Sequence, residues 1–216
     1  MTLAILAAVL AAICHHLKVV LGFSIDPQFD RNEAVRLARL ALSLDEHDEW
    51  ALGTTAFVTA FFIGDYEAAI DFADRAVACN PNDDSAWRLR GWTYKTAGQY
   101  EEAIRSFERS IRLNPLDPTL HVTLAGIGQI LIEHRRFDEA VAVTKRALRQ
   151  NASYSGIYRG LASALAHLGR EAEAREAAAR LLEFDPSFTI STWIARGGQS
   201  NAKLLIEGLQ KAGLPE

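Results

Sequence analysis

Two stretches of the chain, GDYEAAIDFADRAVACNP (Gly64 to Pro81) and GQYEEAIRSFERSIRLNP (Gly98 to Pro115), nearly repeat one another 34 residues apart. They share Gly, Tyr, Glu, Ala, Ile, Arg, Asn and Pro at matching offsets. Within each, apolar or small residues recur at three- and four-residue steps, the spacing of an amphipathic helix with one narrow face. The same phrase returns as RNEAVRLARLALSL from Arg31, RFDEAVAVTKRALRQ from Arg136 and REAEAREAAARLLEFDP from Arg170. Its inward positions are small: Ala69, Ala73, Ala76, Ala103, Ala140, Ala147, Ala174 and Ala178. Small residues let a second helix approach closely, so the repeat predicts helix pairs.

The partner helices lie between these phrases and carry larger side chains: Asp48 to Ile63, Asp84 to Ala97, Pro118 to Glu133 and Tyr154 to Leu168. Asn80-Pro81-Asn82-Asp83 and Asn114-Pro115-Leu116-Asp117-Pro118 end one helix and cap the next. Gly64, Gly98 and Gly169 supply the left-handed residue that closes the first helix of a pair. The unit is helix, tight turn, helix, with nothing strand-like.

Composition agrees with a packed fold. Of 216 residues, 49% are hydrophobic, and Lys+Arg 23 against Asp+Glu 27 gives a net charge of -4 with both signs dispersed. That balance argues against nucleic acid or an anionic membrane as a partner through bulk charge. Cys14 and Cys79 have no neighbouring thiol, so a disulfide framework or zinc knuckle is not expected and a cytoplasmic setting is. The run Leu3 to Cys14 is twelve apolar or small residues, short of the ~20 needed to cross a bilayer. Only Met1 and Thr2 precede it, where a secretory signal carries basic residues. The expectation is a buried Ala-rich helix, with a signal or anchor segment as the alternative.

A helix pair repeating every 34 residues has the period of the tetratricopeptide repeat, and Asp84 to Pro115 resembles that family through Trp87, Arg90-Gly91, Tyr94, Gly98, Tyr100, Ala103, Phe107, Ser110 and Pro115. Trp50 to Pro81 is similar but has Gly53 where a large residue is usual, and Ser155 to Pro186 matches through Tyr158, Leu161-Ala162, Leu165, Gly169, Ala174, Leu181 and Pro186. Pro118 to Ala152 departs by three extra residues before Phe137, expected as an added helical turn near Ile132 to Arg136, and by Ala152 in place of proline. The resemblance implies an all-α fold, one right-handed α-solenoid of stacked helix-turn-helix pairs over residues 1–216. Its expected parts are a degenerate repeat (1–46), repeats at 50–81, 84–115, 118–152 and 155–186, a connector (187–200) and a C-terminal capping helix (201–213). A finer resemblance, through Ile111 to Pro118, Leu161 to Phe188 and Ile206 to Glu216, is to the C-terminal repeat region of bacterial signalling proteins. There the repeats follow a nucleotide cyclase or winged-helix domain, and no segment of this chain matches either domain.

The family's groove is lined by the first helix of each pair. Carried over to this sequence, the resemblance implies a peptide site formed by Phe61, Phe62, Arg88, Trp92, Lys95, Val122, Gln129 and Arg159, with Arg88, Lys95 and Arg159 as positive points for an acidic peptide. Trp92 and Gly126 stand where the carboxylate clamp of chaperone-binding members needs asparagine, which implies that clamp is absent. No catalytic residue, metal site or cofactor is expected: Gly126-Ile127-Gly128 lacks the strand and third glycine of a dinucleotide loop, and His15-His16 diverge by about 100° on a helix. Two readings follow, a peptide-binding scaffold serving as a regulatory arm, or a self-associating homodimer through the apolar first helix and Phe61-Phe62.

Overall fold

The computed structural model describes residues 2–197 and 202–216, all helix, turn or loop with no strand among them. The helices are α1 (Leu3–Val20), α2 (Pro27–Leu44), α3 (Glu49–Val58) continued by a π-helical segment Thr59–Ile63, α4 (Tyr66–Cys79), α5 (Asp84–Thr96) and α6 (Tyr100–Leu113). They are followed by α7 (Leu120–Glu133), α8 (Phe137–Gln150), α9 (Ser155–His167), α10 (Glu171–Phe184), α11 (Ile190–Ala195) and α12 (Lys203–Lys211). The helices fall into two compact units, Met1–Pro115 and Leu116–Glu216.

In the first unit α1 pairs with α2, α3 with α4 and α5 with α6. Asp26, Asp48, Asp65 and Asp83 each cap a helix by accepting a backbone N–H of its first turn, satisfying donors that the helix leaves open. Ala69, Ala73, Ala76 and Ala103 are all buried, as the small-residue face requires. The space at Gly53 is taken by a neighbouring helix: a Cβ there would lie 3.0 Å from Leu89 Cδ1. Arg90 fastens α5 to both its neighbours, donating to Asp74 of α4 at 2.7 Å and to Ser106 of α6 at 2.5 Å. Tyr94 Oη donates to the same Asp74 at 2.9 Å.

The second unit repeats the scheme with α7 on α8 and α9 on α10, and α12 packs on α9. Ala140, Ala147, Ala174 and Ala178 are buried. The capping helix is shorter than the sequence suggests, beginning at Lys203, while Gly198 and Asn201 lie outside the described residues. It buries Leu205 and Leu209, each worth about 1.5–3 kcal/mol, and Glu133 accepts from the backbone of Leu205 at 2.9 Å at its start. The expected connector contains a helix of its own, α11, with Trp193 buried.

Asparagine at the end of α4, α6 and α8 reaches back to the start of its pair. Asn80 Nδ2 lies 3.5 Å from Glu49, Asn114 Nδ2 3.3 Å from Asp84, and Asn151 Nδ2 3.2 Å from His121. This latch gives the recurrent Asn a structural reason.

The three-residue insertion is not an added helical turn. The link between α6 and α7 has six residues where that between α4 and α5 has four, and α7 is one residue longer than α5. Leu120 rather than Pro118 opens α7, because Pro118 and Thr119 complete the turn. Where Gly98 closes α5 at φ 79°, Arg135 after α7 adopts φ 58°, a left-handed conformation costly for a side chain. Its turn is held by Arg136 N donating to Leu131 O at 2.9 Å.

Close packing leaves no room for a side chain at Gly91. A Cβ on Gly91 would meet Phe107 Cδ1 at 2.4 Å, and Phe107 is fully buried. Gly91→Ala is therefore expected to cost about 1–3 kcal/mol, measured as a lower midpoint in urea denaturation with circular dichroism.

Candidate functional site

Of the eight residues read from sequence as a groove, Phe61, Phe62, Arg88, Trp92 and Lys95 belong to the first unit and Val122, Gln129 and Arg159 to the second. In α5, Arg88, Trp92 and Lys95 recur at four- and three-residue steps, which gives them one helix face. Trp92 is partly exposed and meets Phe107 edge to face at 5.6 Å between centroids. Lys95 is only 4% exposed, and its ammonium lies 5.2 Å from the centroid of the Trp92 ring. The indole face thus holds the cation instead of water.

Arg159 in α9 repeats this arrangement in the second unit. It is 9% exposed, and its guanidinium lies 5.3 Å from the Trp193 ring; burial pulls its pKa below the ordinary arginine value. Gln129 is buried and Val122 half-buried. Lys95 and Arg159 are consequently packed against tryptophans, not extended as open positive points. Arg159 and Trp193 are 34 residues apart with no local signal linking them, so sequence reasoning missed the pair.

Phe61 and Phe62 lie in the π-helical segment and are half-buried, not an exposed end. They enclose His16 together with Phe57, at ring distances of 4.5 Å (Phe57), 5.0 Å (Phe61) and 5.1 Å (Phe62). The adjacent His15 has a different environment: its Nδ1 is 2.5 Å from Asp30. The buried Asp30 also accepts from Lys18 at 2.7 Å and from Ser24. Those donors, Lys18 first, hold its carboxyl well below the usual carboxylate range. The cluster ties α2 to the end of α1. Among the described residues no group of three or more His, Cys, Asp and Glu is arranged to hold a metal ion.

α1 is long and apolar enough by length and composition to cross a membrane, and a third of it is buried inside the fold. Ile5, Ala8, Val9 and Ala12 are among its buried residues, and it packs chiefly on α2. Its outer face is apolar.

Residues 85–117 and 125–187 match models of the tetratricopeptide repeat family. These residues are tetratricopeptide repeats. The chain's similarity to mouse (Mus musculus) Superkiller complex protein 3 is 31% identity over 110 residues, 50% of this chain and 7% of that protein. The match thus spans a small fraction of that relative's length. Among solved structures, PilW, described as a widely conserved type IV pilus biogenesis factor, superposes with a TM-score of 0.71 at 15% identity, covering 99% of this chain and 90% of the other. YrrB, described as a tetratricopeptide-repeat protein with an unusual peptide-binding site, superposes with a TM-score of 0.53 at 21% identity, covering 81% and 90%. At these identities the structural likeness establishes the fold.

Burial pushes the His16 pKa down to about 3, so the folded chain keeps this ring neutral. The unfolded chain protonates it near the ordinary value of ~6.5. Stability is then fully present above pH ~6.5 and falls by up to about 1.4 kcal/mol per unit as pH drops toward 3. His16→Leu is expected to leave stability at pH 8 nearly unchanged and raise it at pH 5 by about 2 kcal/mol relative to the parent, read from urea denaturation at both pH values.

Proposed function

We propose that this chain is a protein-interaction scaffold that takes a peptide segment of a partner protein on the first helices of its pairs. The observation that carries this reading is the α5 face, where Arg88 and the partly exposed Trp92 share one side and Phe107 and Lys95 hold the indole in position. A rigidly held indole beside a guanidinium suits a peptide with an acidic side chain next to an apolar one. The peptide-binding description of the similar YrrB supports the same reading. We further infer a regulatory arm of a bacterial signalling protein, acting in the cytoplasm, from the resemblance of Ile111 to Pro118 and Leu161 to Phe188 to such repeat regions. Tetratricopeptide repeats are binding scaffolds, and we assign this chain no catalytic role. Arg88→Glu, alone and combined with Trp92→Ala, is expected to abolish capture of a protein retained by the parent chain from a bacterial lysate, with the helical circular dichroism of Arg88→Glu unchanged. Equal capture by all three proteins would refute the α5 face.

A second reading, self-association, is favoured by one specific observation. Leu3, Ala7, Leu10, Cys14 and Leu17 are all exposed on α1, at alternating four- and three-residue steps. That is the spacing of a coiled-coil seam. On this reading the chain forms a homodimer, and Leu10→Glu with Leu17→Glu makes it monomeric in sedimentation equilibrium. A parent chain that stays monomeric at high micromolar concentration would exclude it.

A further inference from the structure

The last helix, α12, does not continue the stack. A further step of the stack would lie on α9 and α10, as α5 lies on α3 and α4. α12 packs instead on α9 and α7, the first helices of the two pairs in the second unit. It therefore covers the helices whose counterpart in the first unit, α5, carries Trp92. Its apolar side, Ala202, Leu205, Leu209 and Ala212, is buried, and its outer side, Lys203, Glu207, Gln210 and Lys211, is exposed.

Side chains from both helices hold it there. On α7, Glu133 accepts from the backbone N–H of Leu204 at 3.4 Å and of Leu205 at 2.9 Å. On α9, His167 donates through Nε2 to Leu204 O at 2.7 Å, and Ser163 Oγ donates to the same oxygen at 3.4 Å. The Phe137 ring stacks on His167 at 4.5 Å between centroids and fixes its plane. Further along, backbone meets backbone: a Cβ on Gly208 would lie 2.7 Å from Ser163 Cα. Ala202 precedes α12 and offers no side-chain cap, so the open donors of the first turn find theirs on another helix. A helix of nine residues is also too short to hold its shape alone in water. Held off α9 and α7 it has neither cap nor partner face, so its helix forms on docking and is lost on release.

We propose that α12 is a displaceable lid: an occupant supplied by the chain itself that undocks as a unit, leaves α7 to α10 folded, and thereby controls access to the first-helix face of the second unit. The tail belongs to the lid, because Ile190 N donates to Pro215 O at 2.8 Å and Leu214 is buried. The groups that hold its start, Glu133, Ser163 and His167, are side chains that water satisfies once the lid leaves. The link from α11 reads RGGQSN from Arg196 to Asn201 and contains no large apolar residue. Gly208 sets the fit, since only a helix with glycine at that place brings its backbone down on Ser163. This inference rests on the reading that first helices receive a partner, but it concerns a different unit from the α5 face, so each can fail alone.

The test uses the full chain. In amide hydrogen exchange of the parent, Ile206 to Lys211 are expected to exchange at least about tenfold faster than Leu161 to Leu165 of α9, as local opening requires. Equal protection of the two segments would overturn the proposal, because α12 would then open only with the whole unit. In fluorescence anisotropy, a labelled peptide of residues 202–216 is expected to bind Gly208→Leu, whose own α12 cannot seat, at least about tenfold more tightly than the parent, whose lid competes from within. Adding Glu133→Lys to Gly208→Leu removes the acceptor at the start of the peptide helix and is expected to weaken binding about tenfold. Equal binding by the parent and Gly208→Leu, no binding by Gly208→Leu at about 1 mM peptide, or binding indifferent to Glu133→Lys would each overturn the proposal. So would a fall in the helical circular dichroism of Gly208→Leu beyond the share of α12, since release of a lid leaves the second unit folded.

Discussion

The structure depends on how closely the two helices of a pair approach through faces of alanine. A single amphipathic helix of 14 residues, the length of α4, α6, α8 and α10, is marginal in water by itself. Its small-residue face has little apolar area to bury unless a second helix comes close. Larger side chains fill the remaining space, as Phe107 of α6 does over Gly91 and Leu89 of α5 over Gly53. Polar latches then fix the register. Arg90 with Asp74 and Ser106, and the asparagines at the ends of α4, α6 and α8, bond across the pairs at positions where the alanines leave room.

A second motif runs through the chain: a cation held against an aromatic face. Lys95 on Trp92, Arg159 on Trp193, Arg90 on Tyr94 and Arg31 on Phe62 share it. The ring quadrupole offsets part of the desolvation of the charge. Lys95 and Arg159 are the most deeply seated of these cations, whereas Trp92 is partly exposed and Arg39 is exposed. The π-helical turn after α3 brings Phe62 to a core cluster that includes Ala34 and Ala38 of α2.

The helix pairs, their starts and their turns were legible in the sequence because they rest on local physics. Gly64, Gly98 and Gly169 adopt the left-handed conformation, and Asp83 caps α5, since these roles are decided within a few residues. The candidate groove was legible only in part. Arg88 and Trp92 could be assigned to one helix face by spacing, whereas the burial of Lys95 depends on the indole beside it, and that of Arg159 on Trp193. Sequence spacing also misread the insertion before Phe137. It was expected to lengthen a helix, but Pro118 cannot sit inside one that donates every N–H, so most of it went into the turn.

The sequence by itself determined an all-helical chain of tetratricopeptide pairs, because a 34-residue period, alanine faces and capping residues are properties of neighbours along the backbone. Tertiary structure decided which charged groups reach the surface. It sent His15 to a carboxylate and His16 into a cluster of phenylalanines, and it laid α12 on α9 and α7. Burial and the fate of a charge are set by side chains distant in sequence, and only the folded chain brings those together.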